Sequence, residues 1–97
     1  MFIHKCVIRT DDFDCILEAF YGAKYICFTN TDVIPLECCL NCVALEKVFI
    51  SKHTKIIKPF AFKNCISLKT VYVPKTVEHI HEYAFQNCIN LKQIIFY

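Results

Sequence analysis

Glycine occurs once in this chain of 97 residues and proline three times. That is too little for a protein of tight hairpins, whose turns draw on glycine, asparagine and proline for their special backbone angles. The turns must be made another way. Long hydrophobic runs are also missing. Apolar residues make up 56% of the sequence but are scattered, and no run approaches the roughly 20 residues that cross a bilayer as a helix. The opening, MFIHKCVIRTDDFD, lacks the apolar stretch of a secretory signal and turns acidic quickly, so the expectation is a cytoplasmic protein that engages no membrane. Charge of one sign is scarce too. The formal net charge is +2 and the lysines are spread along the chain, which argues against nucleic acid as a partner. There is no phosphate-binding loop, dinucleotide fingerprint or metalloprotease motif. No glycine-rich or oxyanion-type loop accompanies a cysteine, so neither an enzyme nor a cofactor is expected.

Cysteine is abundant, with eight residues. In a secreted chain these would read as a disulfide framework; without a signal they read as reduced thiols. The length suits one domain with its own core.

The chain repeats itself. AFKNCISLKTVYVP at 61–74 returns as AFQNCINLKQIIFY at 84–97. Ile34, Ile57 and Ile80 are spaced by 23 residues, as are Asn41, Asn64 and Asn87, then Cys42, Cys65 and Cys88, then Leu45, Leu68 and Leu91. The series Val48, Val71, Ile94 and Ile50, Val73, Phe96 keep the same step. Extended backwards, this step sets Tyr25 and Cys27 in the columns of Val48 and Ile50. The end of each unit, L-x-x-[VI]-x-[VIF], has period two and fits a short strand with one buried face. The stretch before it, IKPFAFKNC or IHEYAFQNC, fits a single helical turn. Pro59 or Glu82 would sit at its start and Asn64 or Asn87 at its end, where asparagine tolerates a left-handed conformation. Neither piece buries its apolar side alone, so the units must stack as a solenoid.

These units resemble the BspA-like leucine-rich repeats, whose pattern runs close to I-x-x-x-A-F-x-x-C-x-x-L-x-x-I-x-I-P. The resemblance covers residues 34–97 well and 24–33 weakly. The first unit departs from it, with Cys38 and Cys39 where Ala and Phe are expected. It implies an α/β repeat solenoid: a right-handed leucine-rich repeat coil with one short parallel sheet and single helical turns. It also implies a scaffold for binding, and cell-surface relatives. The layout is then one domain over 1–97, with an N-terminal cap at 1–23, a partial repeat at 24–33, and repeats at 34–56, 57–79 and 80–97. In the cap, FIHKCVI reads as a strand. DDFDCILEAFYG reads as a helix, with Phe13, Ile16, Leu17 and Phe20 on one face and Gly22 at its end.

Cys42, Cys65 and Cys88 share a column, so their sulfurs should stack along the coils about 4.8 Å apart. A line of thiols is not a tetrahedral metal site, and packing is the expected role. On that basis Cys65→Ser should cost more than Cys65→Ala. Cys38 and Cys39 should be core as well. His79 and His81 could share one face of an extended segment and, with a thiol, form a metal or nucleophile site. This is the third functional class, set against a binding module and a self-assembling repeat protein.

The residue between the two buried strand positions should point out of the sheet. In this register those residues are Ile26, Phe49, Tyr72 and Ile95, flanked by Phe28, Tyr97, Lys24 and Lys47. Such a stripe either reflects strand propensity alone or marks a protein-partner site. Val43, Ile66 and Ile89 form a second apolar column. The strand Leu91–Phe96 should leave an unpaired edge, through which a homodimer is expected.

Overall fold

The computed structural model describes the backbone of residues 5–8 and all of residues 22–97. Its strands are β1 (Lys5–Ile8), β2 (Tyr25–Phe28), β3 (Val33–Ile34), β4 (Lys47–Phe49), β5 (Ile56–Ile57), β6 (Thr70–Val73), β7 (His79–Ile80) and β8 (Gln93–Phe96). All pairings among the described residues are parallel. One sheet has the order β1-β2-β4-β6-β8 and a second has β3-β5-β7. Each coil lays one strand on each sheet and then moves to the next layer, so the chain winds as a solenoid. The expected single sheet is therefore two. Isoleucines 34, 57 and 80, taken above as the start of each unit, lie on the second sheet.

Between the sheets lies the core. Ile34, Ile57, Leu45, Leu68, Val48, Val71 and Phe62 are fully buried. Each such side chain stabilises by roughly 1.5–3 kcal/mol relative to exposure. The leucine, valine and isoleucine columns read from the sequence thus form the interior of the middle coils. The strand expected in the N-terminal cap is β1, within FIHKCVI. The expected cap helix falls almost wholly on 9–21, outside the described residues.

Two expectations about local structure are corrected. The first is register. Ile26 pairs with Val48 and Cys27 with Phe49, a step shorter by one residue than that of Val48 to Val71. The missing residue lies in the turn after β2, where Thr29 and Asn30 do the work of Ser51, Lys52 and His53. Asn30 closes this short turn at φ 53°, a left-handed angle that asparagine adopts more readily than most residues. Beyond it the longer step is restored, with Val33 opposite Ile56, and the Thr54 hydroxyl donates to the Thr31 carbonyl.

The second correction is the helical turn. Residues 36–41, 59–64 and 82–87 contain no helix. Glu37, Phe60 and Tyr83 stand in the left-handed region at φ 56°, 59° and 64°, which breaks a helical ladder at its second residue. Alternate N–H groups then do different things. Those of Cys38, Leu40 and Cys42 donate three residues back, to Pro35, Glu37 and Cys39. Those of Cys39 and Asn41 donate to the next coil, at Ala61 (2.7 Å) and Lys63 (2.9 Å). Phe62 and Asn64 repeat this onto Ala84 and Gln86. A helix would have spent these donors inside one coil; here they join neighbouring coils. The left-handed asparagines were legible in the sequence: Asn41, Asn64 and Asn87 have φ of 62°, 63° and 61°.

Candidate functional site: the outer face of the five-stranded sheet

The register of β2 decides which side chains meet on the outer face. Strand pairing sets Cys27, Phe49, Tyr72 and Ile95 in one outward column. Ile26 is fully buried and Phe28 is 3% exposed. Both were expected on the face, and both belong to the core because β2 is offset by one position; a single-residue slip exchanges the two faces of a strand. The residue missed was Cys27. A one-residue gap that aligns Ile26 and Phe28 with Val48 and Ile50 would have found it.

The remaining expected residues are on the face. Phe49 and Tyr72 are half-buried against each other, their rings stacked at 4.5 Å and 2° from parallel. Ile95 is half-buried beside them, and Lys24 and Lys47 are exposed at the strand starts. Tyr97 reaches back across a coil and donates its hydroxyl hydrogen to the Ile50 carbonyl. Its N–H bonds the Val73 carbonyl at 2.9 Å, and its carbonyl accepts from Lys75 N–H at 2.7 Å.

Under the arch of Tyr97 lies a cleft of about 380 Å³, whose walls include Cys27, Phe49, Ser51, Lys52, His53 and Tyr97. The Ser51 hydroxyl oxygen accepts the N–H groups of His53 (3.1 Å) and Thr31 (3.4 Å), which fixes the shape of this corner. Burial, and then the Cys27 thiol nearby, push the Tyr97 hydroxyl above its ordinary pKa. The walls combine the rings of Phe49 and Tyr97 with polar residues including Ser51, Lys52 and His53, a composition that suits an apolar side chain or small ligand with polar flanks.

The thiol ladder lies elsewhere, inside the coil. Cys42 and Cys65 are buried and Cys88 is half-buried at the end of the stack. Each of the last two donates to a carbonyl of the preceding coil: Cys65 Sγ to Cys39 O at 3.2 Å, Cys88 Sγ to Phe62 O at 3.0 Å. The neighbouring Cys88 thiol, and then burial, raise the Cys65 pKa, while the Cys65 thiol lowers that of Cys88. Cys38 and Cys39 are core, as expected. The rings of His79, on exposed β7, and His81, just after it, are 6.3 Å apart. Among the described residues no three His, Cys, Asp or Glu side chains converge as metal ligands, and no helix is long and apolar enough to cross a membrane. The second apolar column is more exposed than the stripe: Val43 50%, Ile66 43% and Ile89 77%.

Comparison with known proteins agrees with this architecture. The family model for the BspA type leucine rich repeat region, in six copies, matches residues 32–97. Among solved structures, the crystal structure of a leucine rich cell surface protein from Faecalibacterium prausnitzii A2-165 superposes with a TM-score of 0.71 at 20% identity. The superposition covers 94% of this chain and 29% of that one, so this chain spans under a third of its length and the likeness is one of fold. No curated protein matches.

Proposed function

The chain belongs to the BspA-type leucine-rich repeat family, and from that premise we propose that it is a non-catalytic module that binds a protein partner on the outer face of its five-stranded sheet. The observation that carries this is the Cys27, Phe49, Tyr72 and Ile95 column, in which Phe49, stacked on Tyr72, lines the Tyr97 cleft. Aromatic groups beside a cleft supply large contact area at low entropic cost. Cys27, Phe49 and Tyr72 sit on strands with a neighbour on each side, so this part of the face is preorganised.

Capture from lysate by the wild-type chain, by Phe49→Ala with Tyr72→Ala, and by Val43→Ser with Ile66→Ser tests the reading. Circular dichroism melting of each runs alongside. The first pair should lose capture while melting as a folded protein, and the second should retain it. Loss through the second pair alone would transfer the function to the other column.

A second reading rests on a separate observation. At the far end of the stack Ile80, Ile94 and Phe96 are 40%, 40% and 57% exposed, although their columns are core in the preceding coils. We propose self-assembly through this end, by pairing of β8 with β8 of a second copy.

A further inference from the structure

The described acids are unevenly distributed between the faces, while lysines stand on both, with Lys55, Lys58 and Lys63 on the return path. Around the outer sheet face stand Lys24, Lys47, Lys69 and Lys92 at the strand starts, and Lys52 and Lys75 after the strand ends. Glu46 is the sole acid there, and its carboxylate lies 3.7 Å from the Lys69 ammonium. The other described acids lie on the return path. Asp32 and Glu78 precede strands of the second sheet, and Glu37 and Glu82 are in the left-handed turns. A modest overall charge therefore conceals a basic frame around one apolar stripe, a separation that steers and selects a partner of opposite charge.

We infer that the outer sheet face takes an acidic segment of a partner protein, with one apolar side chain of that segment seated in the cleft between Phe49 and Tyr97 and its carboxylates on Lys52, Lys75 and Lys47. This rests on the reading of the face as a protein-binding site and names the chemistry of what binds there. The size of the cleft, about 380 Å³, suits a single large side chain. Lys52 and His53 line its mouth, so an acid flanking that side chain meets a cation at once. Single-stranded nucleic acid fits less well, because it binds on open ring faces. The rings of Phe49 and Tyr72 are turned onto each other at 4.5 Å, which leaves no space for a base between them.

The test uses fluorescence anisotropy of the full chain with four labelled probes. They are a peptide with one phenylalanine between triplets of glutamate, the same peptide with alanine at its centre, the same with lysine for glutamate, and oligothymidylate. The phenylalanine–glutamate peptide should bind best. Its affinity should fall about tenfold between roughly 50 and 300 mM salt, as expected for ion pairs at the surface. Lys52→Gln with Lys75→Gln should weaken it about tenfold, equivalent to about 1.4 kcal/mol, with an unchanged melt because both lysines are exposed. Phe49→Ala should erase the preference for phenylalanine over alanine. Equal binding of the glutamate and lysine peptides, tighter binding of oligothymidylate, or no binding of the acidic peptide would overturn the inference. If lysate capture still depends on Phe49 and Tyr72 while the acidic peptide fails, the inference falls and the binding function stands. If the peptide binds but Phe49→Ala has no effect on it, the site lies elsewhere and the inference falls as well.

Discussion

Cys65 shows why the repeat carries a cysteine where alanine would also fit. Its side chain is fully buried, yet its hydrogen faces the Cys39 carbonyl at 3.2 Å. The sequence made the burial legible and hid the acceptor, because a carbonyl 26 residues away has no side-chain signature. The expected order of substitutions is therefore reversed. Cys65→Ser retains a donor and should cost no more than Cys65→Ala, which loses the bond and leaves a small void, about 1–2 kcal/mol in all. Urea denaturation of the two variants orders them. The same thiols predict a pH response. Burial raises Cys39 well above its ordinary 9.0, and Cys65 is raised as well. Above about pH 9 the unfolded chain gives up protons that these folded thiols keep, so unfolding releases protons and stability falls as pH rises. Stability from these groups should be fully present at pH 7 and decline above about pH 9, and Cys39→Ala should flatten that decline. An equal decline in both would remove Cys39 as a source. Asn64 has two jobs as well. It holds φ 63°, donates its amide to Asn41 Oδ1 and accepts from Asn87 Nδ2, both at 2.8 Å. Asn64→Gly should lose only the ladder, about 1 kcal/mol, and Asn64→Ala should cost about 1–2 kcal/mol more for the left-handed backbone. Equal midpoints for the two would remove the backbone argument.

At the scale of the element, the strands were easy to read and the turns were not. Period-two alternation in VYV and IIF marks a buried face wherever the step is constant, and β4, β6 and β8 fall where that pattern places them. The segment at 59–64 has a plausible helix start at Pro59, and its true conformation depends on hydrogen bonds to a coil that follows 22 residues later, such as Phe62 N–H to Ala84 O. No local pattern encodes such a partner. The β2 register was lost for a different reason. Tyr25 and Cys27 are as suitable for a core column as Ile26 and Phe28 at first glance, and only a gap at Asn30 separates the two choices. The observed register makes a sharp prediction. Ile26→Ser places a hydroxyl among the fully buried columns and should cost about 3 kcal/mol or more. Cys27→Ser, on the outer face, should stay within about 0.5 kcal/mol. Thermal melts decide between the two registers, since the register read from a constant step requires the reverse.

For the molecule as a whole, the interior is closed in the middle of the stack and open beyond β8. Leu45 and Leu68 are fully buried, whereas Leu91 in the same column is only half-buried, and Val71 is covered where Ile94 is 40% exposed. The difference lies in the neighbours and not in the residues: among the described strands β6 has β4 and β8 beside it, and β8 has β6 on one side alone. Among the described residues no strand pairs with its other edge, which lies beside apolar side chains, the arrangement that recruits another strand. A further coil would satisfy this edge, and so would a second copy. Two β8 edges related by a twofold axis would pair in antiparallel fashion and cover each other's Ile94 and Phe96, closing the proposed assembly at two. The 97-residue chain should therefore sediment as a dimer at tens of micromolar. Phe96→Lys places a charge in that contact and should shift it to monomer while the melt of the dilute protein stays the same, because Phe96 is 57% exposed within one chain. Lys24→Glu, on the outer face near β2, should leave the dimer intact. A wild-type chain that sediments only as monomer at these concentrations would reject pairing through β8 and leave the outer sheet face as the surface to pursue.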